Sequence, residues 1–144
     1  MVIRQASLSD AFYIQKLLGQ LGYPDASLEM VSQKIQLHDG GDYHLLVAEH
    51  ESEVIAFISL HRFEFLHAQG KIGRITAFCV EERYRSKGVG KLLLAAAEKH
   101  LIEQGCTKLE VTSNLARERT HQFYLQNGYV IDSKRFVKYV QLSR

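Results

Sequence analysis

The sequence predicts an α/β fold, an α+β mixed sheet of six to seven strands flanked by about four helices. Three observations predict it. Strand and helix patterns follow one another as β, α, α, three strands, α, β, α, β, β, with no repeated βαβ unit, which suits a mixed sheet covered on both faces. Two strand patterns, Tyr43 to Glu49 and Val54 to Phe65, flank the polar stretch His50-Glu51-Ser52-Glu53, which is short enough for an antiparallel hairpin. Residues 72 to 104 pass from an apolar run through a Gly-rich basic turn into the most strongly periodic helix of the chain.

Val2 to Gln5 reads as the first strand. Ser7 or Ser9 can cap the helix that follows, with Asp10 favourable in its first turn. Phe12, Ile14, Leu17, Leu18 and Leu21 have helical spacing, and Gly22 and Pro24 end the helix. Ser27 opens a second helix with Leu28, Val31, Ile35 and Leu37 on one face, and Asp39-Gly40-Gly41-Asp42 is a turn. After the hairpin, Leu66 to Gly70 is a loop carrying His67, and Ile72 to Val80 is the next strand. Its continuously apolar end, Ala77-Phe78-Cys79-Val80, suits burial on both faces. From about Gly88 to Gln104, Val89, Leu92, Leu93, Ala96, Ala97, His100 and Leu101 form a broad apolar stripe, with Gly105 as the cap. Lys108 to Thr112 is a strand, Arg117 to Asn127 a helix closed by Gly128, and Tyr129 to Ile131 and Phe136 to Leu142 close the chain as strands.

Composition narrows the function classes. At 144 residues the chain reads as one domain, 1–144, with 46% hydrophobic and 24% charged residues, ordinary for a globular protein. A net charge of +2 argues against a nucleic-acid partner. No apolar run approaches the ~20 residues of a membrane span. Met1-Val2-Ile3-Arg4-Gln5 holds no signal-peptide core, so the location expected is cytoplasmic. Cys79 and Cys106 have no metal spacing and read as reduced thiols, Cys79 in the core. Nothing in the sequence requires a metal.

The stretch that carries chemistry is Arg85-Ser86-Lys87-Gly88-Val89-Gly90-Lys91. Free N–H groups at a helix start, the positive end of the helix dipole, glycines that admit a ligand close to the backbone, and three cations meet there. This is the chemistry of a diphosphate site. The spacing excludes a P-loop and lacks the first glycine of Gly-x-Gly-x-x-Gly. A glycine-rich connection with solvated basic residues is the bland alternative.

Arg85-x-x-Gly88-x-Gly90, followed by Asn114 and by Phe123-Tyr124-Leu125-Gln126-Asn127-Gly128-Tyr129, resembles the GNAT superfamily of acetyl-coenzyme A-dependent N-acetyltransferases, and the element order matches along nearly the whole chain. The resemblance implies that the loop from Arg85 through Ser86, Lys87, Gly88, Val89 and Gly90 to Lys91 holds the CoA pyrophosphate. It implies that backbone groups of Phe78 and Val80 pair with the pantetheine arm and that Asn114 contacts it. Tyr124 is then the general acid for the departing thiolate, acetyl-CoA the acyl donor, and a small-molecule primary amine the acceptor. The chemistry agrees, since aminolysis of a thioester needs a neutral amine, a site for the oxyanion and a proton for the thiolate, and no covalent nucleophile. For Phe123 and Tyr129 an aromatic core role is the simpler reading.

The base is open among His61, Glu64, His67, Glu81, Glu82 and a water relay. Arg74 stands where many family members carry an acid; it faces an anionic substrate group or is a solvated strand charge. Ser59 to His67 together with Thr120-His121-Gln122-Phe123-Tyr124-Leu125 is similar to the aminoalkylphosphonate N-acetyltransferases, a group linked to a divalent metal, and makes His61, His67 and Arg74 substrate candidates. The alternatives are acetylation of a peptide or protein and a non-catalytic CoA-binding module. A homodimer through the closing strands is a further option.

Overall fold

The computed structural model describes residues 1–112, 118–132 and 136–141. The chain divides into two compact units, Met1–Thr112 and Ser113–Arg144.

The first unit holds one sheet. Its strands are β1 (Val2–Gln5), β2 (Asp39–Gly40), β3 (Tyr43–His50), β4 (Glu53–Phe63), β5 (Lys71–Val80) and β6 (Cys106–Val111), in the order β1-β3-β4-β5-β6 with β2 also on β3. All pairs are antiparallel except β5–β6, which is parallel. A parallel neighbour needs a crossover, and helix α3 (Val89–Glu103) supplies it. Helices α1 (Ala11–Leu21) and α2 (Leu28–Leu37) precede the sheet's long strands. The second unit contains α4 (Glu118–Gln126). Six strands and four helices agree with the expected class, and β2 is a two-residue pairing inside the stretch read as a turn.

Alternation along the strands gives the sheet two buried faces. Leu45, Val47, Phe57 and Cys79 meet Ala11, Ile14 and Leu17 of α1 and Val31 and Ile35 of α2 in one core. The Cys79 thiol donates to the Leu17 carbonyl at 3.4 Å, as befits a core residue. Ile58, Leu60 and Ile75 are buried on the opposite face, as are Leu93, Leu94, Ala97 and Leu101 of α3. The approach of α3 is close enough that a Cβ on Gly73 would lie 2.7 Å from Leu101 Cδ1, so any larger residue here would have to push the buried Leu101 side chain aside.

Several local readings change. Leu92 is 55% exposed and Leu94 takes its place in the core, a shift of the stripe around α3. Phe12 and Leu28 also turn outward. The β3–β4 turn places Glu51 and Ser52 at φ 51° and 66°, the left-handed pair of a tight two-residue hairpin. The expected strands Tyr129–Ile131 and Phe136–Leu142 are not formed by the described residues 129–132 and 136–141. A strand exists only where a neighbour completes its ladder. The Tyr129 N–H instead turns back to the Tyr124 carbonyl, 3.0 Å away, and closes α4 beside Gly128 at φ 92°. Val130, Ile131, Phe136, Tyr139 and Val140 stay largely exposed. No helix of the described residues is long and apolar enough to cross a membrane.

Two polar sites fasten the frame. Arg4 holds the buried Asp10 through two bonds of 2.8 and 2.9 Å and reaches Glu49 at 3.1 Å, tying β1 to the start of α1 and to β3. Burial opposes the charge on Asp10, and the Arg4 bonds overcome it, so its carboxyl titrates below the ordinary range. On the α3 face, His44 stacks on His100 with ring centroids 3.8 Å apart. Burial, then the neighbouring His100 and Arg62, push the His44 imidazole down to about 4. Burial lowers His100 as well. The His44 imidazole therefore stays neutral in the folded protein down to about pH 4, and His100 is shifted in the same direction, whereas the unfolded chain protonates both near pH 6.5. Stability is complete above that value and falls as pH drops toward 4. His44→Phe is expected to flatten this segment by on the order of 2 kcal/mol between pH 7 and 4.5. Urea midpoints at the two pH values check it, and an unchanged pH slope would refute the assignment.

Candidate active site

The site grows from a change in how β5 is paired. Ile72 to Ile75 are paired with β4 on one edge and with β6 on the other. At Thr76 the β4 register slips, because Ser59 pairs with Ala77 and Leu60 with Ile75, so Thr76 bulges out. From there to Val80 the ladder continues on β4 alone among the described residues. Glu81 N–H donates to the Ile55 carbonyl at 2.7 Å. Strand alternation then turns the backbone groups of Cys79 toward β4 and those of Phe78 and Val80 toward the other edge. The Val80 carbonyl accepts a 2.9 Å bond from Arg85 Nε.

The loop after β5 is held at its root. Glu81 is buried, and its carboxylate accepts from Arg83 N–H at 2.6 Å and from Arg83 Nε at 3.1 Å. Burial opposes this charge, and the Arg83 bonds prevail, so the Glu81 carboxyl titrates below its usual range. Glu81 is thus engaged as a cap, while Glu82 is exposed and its N–H donates to Gln20 Oε1 at 3.0 Å. Ser86 and Gly88 both take left-handed backbone, φ 63° and 85°, which turns the chain into α3. The helix has no side-chain cap, and Leu92 N–H reaching Gly88 at 3.2 Å is its first intrahelical bond. The N–H groups of Val89, Gly90 and Lys91 are left for an outside acceptor. Val89 is buried and anchors the turn, while Arg85, Ser86, Lys87, Gly88 and Lys91 are exposed. Cations, a positive dipole end and open amides converge there, which suits a dianionic ligand group.

The α1/α2 face of the sheet carries a second feature next to the bulge. A groove of about 220 Å³ runs between Ile14 and Leu18 of α1, Met30 and Val31 of α2, and Leu45 and Phe57 of the sheet, with Lys34 and His38 also lining it. Its floor includes Ser59 and Thr76, whose hydroxyls bond to each other at 2.6 Å. His61 lies on the same face two residues further along β4, half-buried and stacked 4.4 Å from Tyr43. Arg74 pairs with His61 in register. Its guanidinium donates through Nε to Glu110 at 2.6 Å and through Nη2 to the same oxygen, and sits 4.7 Å over the Phe63 ring. His67 and Glu64 are exposed, His67 stacking on Phe65 at 5.1 Å. Among the described residues no three His, Cys, Asp or Glu side chains cluster as metal ligands.

In the second unit, Tyr124 is buried, with Phe123 and Tyr129 edge-on at 5.5 and 5.4 Å. Burial pushes its phenol up to about 12. Asn114 lies outside the described residues. The sequence reading missed two polar pairings: the hydroxyls at the bulge, and Glu110 as the partner of Arg74. The bulge has no sequence signature. The only sign of the ion pair was a lone acid inside an apolar strand, and its partner depends on the parallel register Arg74↔Glu110.

A sequence profile of the acetyltransferase (GNAT) family matches residues 8–129. An aminoalkylphosphonate N-acetyltransferase of Salmonella typhimurium is 36% identical over 95 residues, which span 66% of this chain and 62% of that protein. An uncharacterised N-acetyltransferase of Bacillus subtilis is 30% identical over 146 residues, 96% of this chain and 95% of its own. The crystal structure of glucosamine-6-phosphate N-acetyltransferase from Arabidopsis thaliana superimposes with a TM-score of 0.81 at 26% identity, covering 96% of this chain and 98% of its own.

Gly88 provides a check on the loop. A Cβ built there meets no atom within 4 Å, so only its left-handed backbone opposes substitution. Gly88→Ala is expected to lose about 1–2 kcal/mol in chemical unfolding while keeping the far-UV circular dichroism of the parent. A variant that fails to fold would show that packing, not backbone conformation, selects glycine here.

Proposed function

The chain belongs to the acetyltransferase (GNAT) family, and from that premise we propose that it moves the acetyl group of acetyl-CoA directly onto a primary amine of a small molecule. It is an acyltransferase by family, and acetyl-CoA is the co-substrate of that family. The observation that carries the donor half is the end of the β5–β6 ladder at Ile75, beyond which β5 runs on to the basic, uncapped start of α3. In the proposal the pantetheine arm adds to that edge as a strand would, pairing with Phe78 and Val80. Arg85 then exchanges the Val80 carbonyl for the pyrophosphate, which is held by the N–H groups from Ser86 to Lys91 and by Lys87 and Lys91. Asn114 is proposed to contact the same arm.

The amine lone pair attacks the thioester carbonyl, the Val80 N–H stabilises the oxyanion, the C–S bond breaks, and the thiolate of CoA takes up a proton. The amine loses one proton and the thiolate gains one, so the products are an amide and free thiol. Tyr124 is proposed as the group facing the thiolate. A phenol near 12 is protonated at every working pH. Full transfer to a thiolate with an ordinary pKa near ~8.5 is uphill by roughly 5 kcal/mol, so the support it gives is a hydrogen bond to developing charge, with solvent completing the transfer. Among the base candidates Glu81 is committed to Arg83, which favours a water relay with His61, half-buried on the groove face, as its protein end.

The experiment is CoA release from acetyl-CoA across a panel of free amines and peptides, with Tyr124→Phe beside the parent. Tyr124→Phe is expected to keep the rise in melting temperature produced by acetyl-CoA and to lose about 10²-fold in kcat. An unchanged kcat with a well-used amine would remove Tyr124 from the mechanism. Turnover confined to peptides would replace the small-molecule reading. Tight CoA binding with no release for any amine would leave a binding module.

A further inference from the structure

Beside the groove stands an unbroken row of rings. His38 and Tyr43 meet at 5.2 Å, Tyr43 and His61 at 4.4 Å, His61 and Phe63 at 5.4 Å, Phe63 and Phe65 at 5.4 Å, and Phe65 and His67 at 5.1 Å. The row is continuous with the groove, because His38 lines it. It also shares the groove's face of the sheet, since Tyr43 and His61 sit two positions from the floor residues Leu45 and Ser59 in matching register. Tyr43, His61 and Phe63 are half-buried, and Phe65 is 39% exposed. Stacking spends much of the ring faces on one another, so the row offers mainly edges, which carry the positive part of the aromatic quadrupole and attract the face of another ring.

The charges nearby are already committed. Arg74 is bonded to Glu110 and lies on Phe63. Arg62, on the opposite face, donates to the Gly41 carbonyl and to Gln104 at 2.9 Å. Lys34 is the cation among the groove's lining residues, and no lining residue is a carboxylate. A phosphonate would need several free donors, and a polyamine would need carboxylates. A flat apolar body needs neither.

We propose that the acceptor is an arylalkylamine, whose aryl group lies across the Tyr43–His61–Phe63 edges and in the apolar groove while its short chain carries the amine toward the Ser59–Thr76 hydroxyl pair. This rests on the transferase reading above and names its substrate class. The ring row sets KM for the aryl group and leaves the acetyl donor's site alone.

The test compares 2-phenylethylamine with 2-aminoethylphosphonate by CoA release, in the parent and in Tyr43→Leu, Phe63→Leu and Phe63→Tyr, with the melting-temperature shift from acetyl-CoA recorded for each. The expected result is at least a tenfold higher kcat/KM for 2-phenylethylamine. Tyr43→Leu and Phe63→Leu should raise its KM at least fivefold with little change in kcat, and Phe63→Tyr should restore it. A preference for the phosphonate would overturn the proposal, as would a loss shared equally by both substrates in the Leu variants. If acetyl-CoA still raises the melting temperature but no amine in the panel is acetylated, the transferase reading itself fails and this inference falls with it.

Discussion

Everything about the donor side depends on the pairing of one strand. A buried strand must find a partner for every N–H and C=O it presents, and among the described residues the ladder between β5 and β6 ends at Ile75. The bulge at Thr76 marks the change, and the four residues beyond it, Ala77 to Val80, are paired with β4. α3 takes the chain back from the end of β5 to the start of β6. It lies close to the sheet because Gly73 has no side chain to hold Leu101 away. The same crossover brings an uncapped helix start to the point where β5 ends. An extended polar arm and an anionic group on one ligand would satisfy both features at once.

The acceptor side is governed by neutralised charge. Arg74, Arg83, Arg4 and Arg62 are each tied to a carboxylate, amide or carbonyl of the protein. With Arg74 bound to Glu110, the groove on the α1/α2 face is lined mainly by apolar side chains and a hydroxyl pair, with Lys34 and His38 beside them. Cations in the loop, by contrast, extend into solvent beyond the Glu81–Arg83 anchor. The molecule thus separates an electropositive loop at the start of α3 from a largely apolar groove on the α1/α2 face.

The sequence disclosed the features that repeat or that need a special residue. β5, its loop and α3 lie within about a residue of where periodicity and glycine spacing put them, and Gly88 stands at the turn into α3 with a left-handed backbone. Interior identity was less legible. Leu92 and Leu94 are both leucines, and which is buried depends on the roll of α3 against the sheet. Strand pattern at Tyr129–Ile131 and Phe136–Leu142 expresses side-chain preference, whereas the ladder depends on a neighbour that the sequence does not specify. The pairing of Arg74 with Glu110 follows from register across 36 residues of chain, and the raised pKa of Tyr124 follows from burial; neither has a local signature.

The most direct measurement is amide hydrogen exchange across residues 76–91 with and without acetyl-CoA. The account predicts strong new protection at Val80 and at the first-turn amides of α3, with Cys79, already turned toward β4, little changed. Protection spread evenly over the sheet, or none between Ser86 and Lys91, would contradict it.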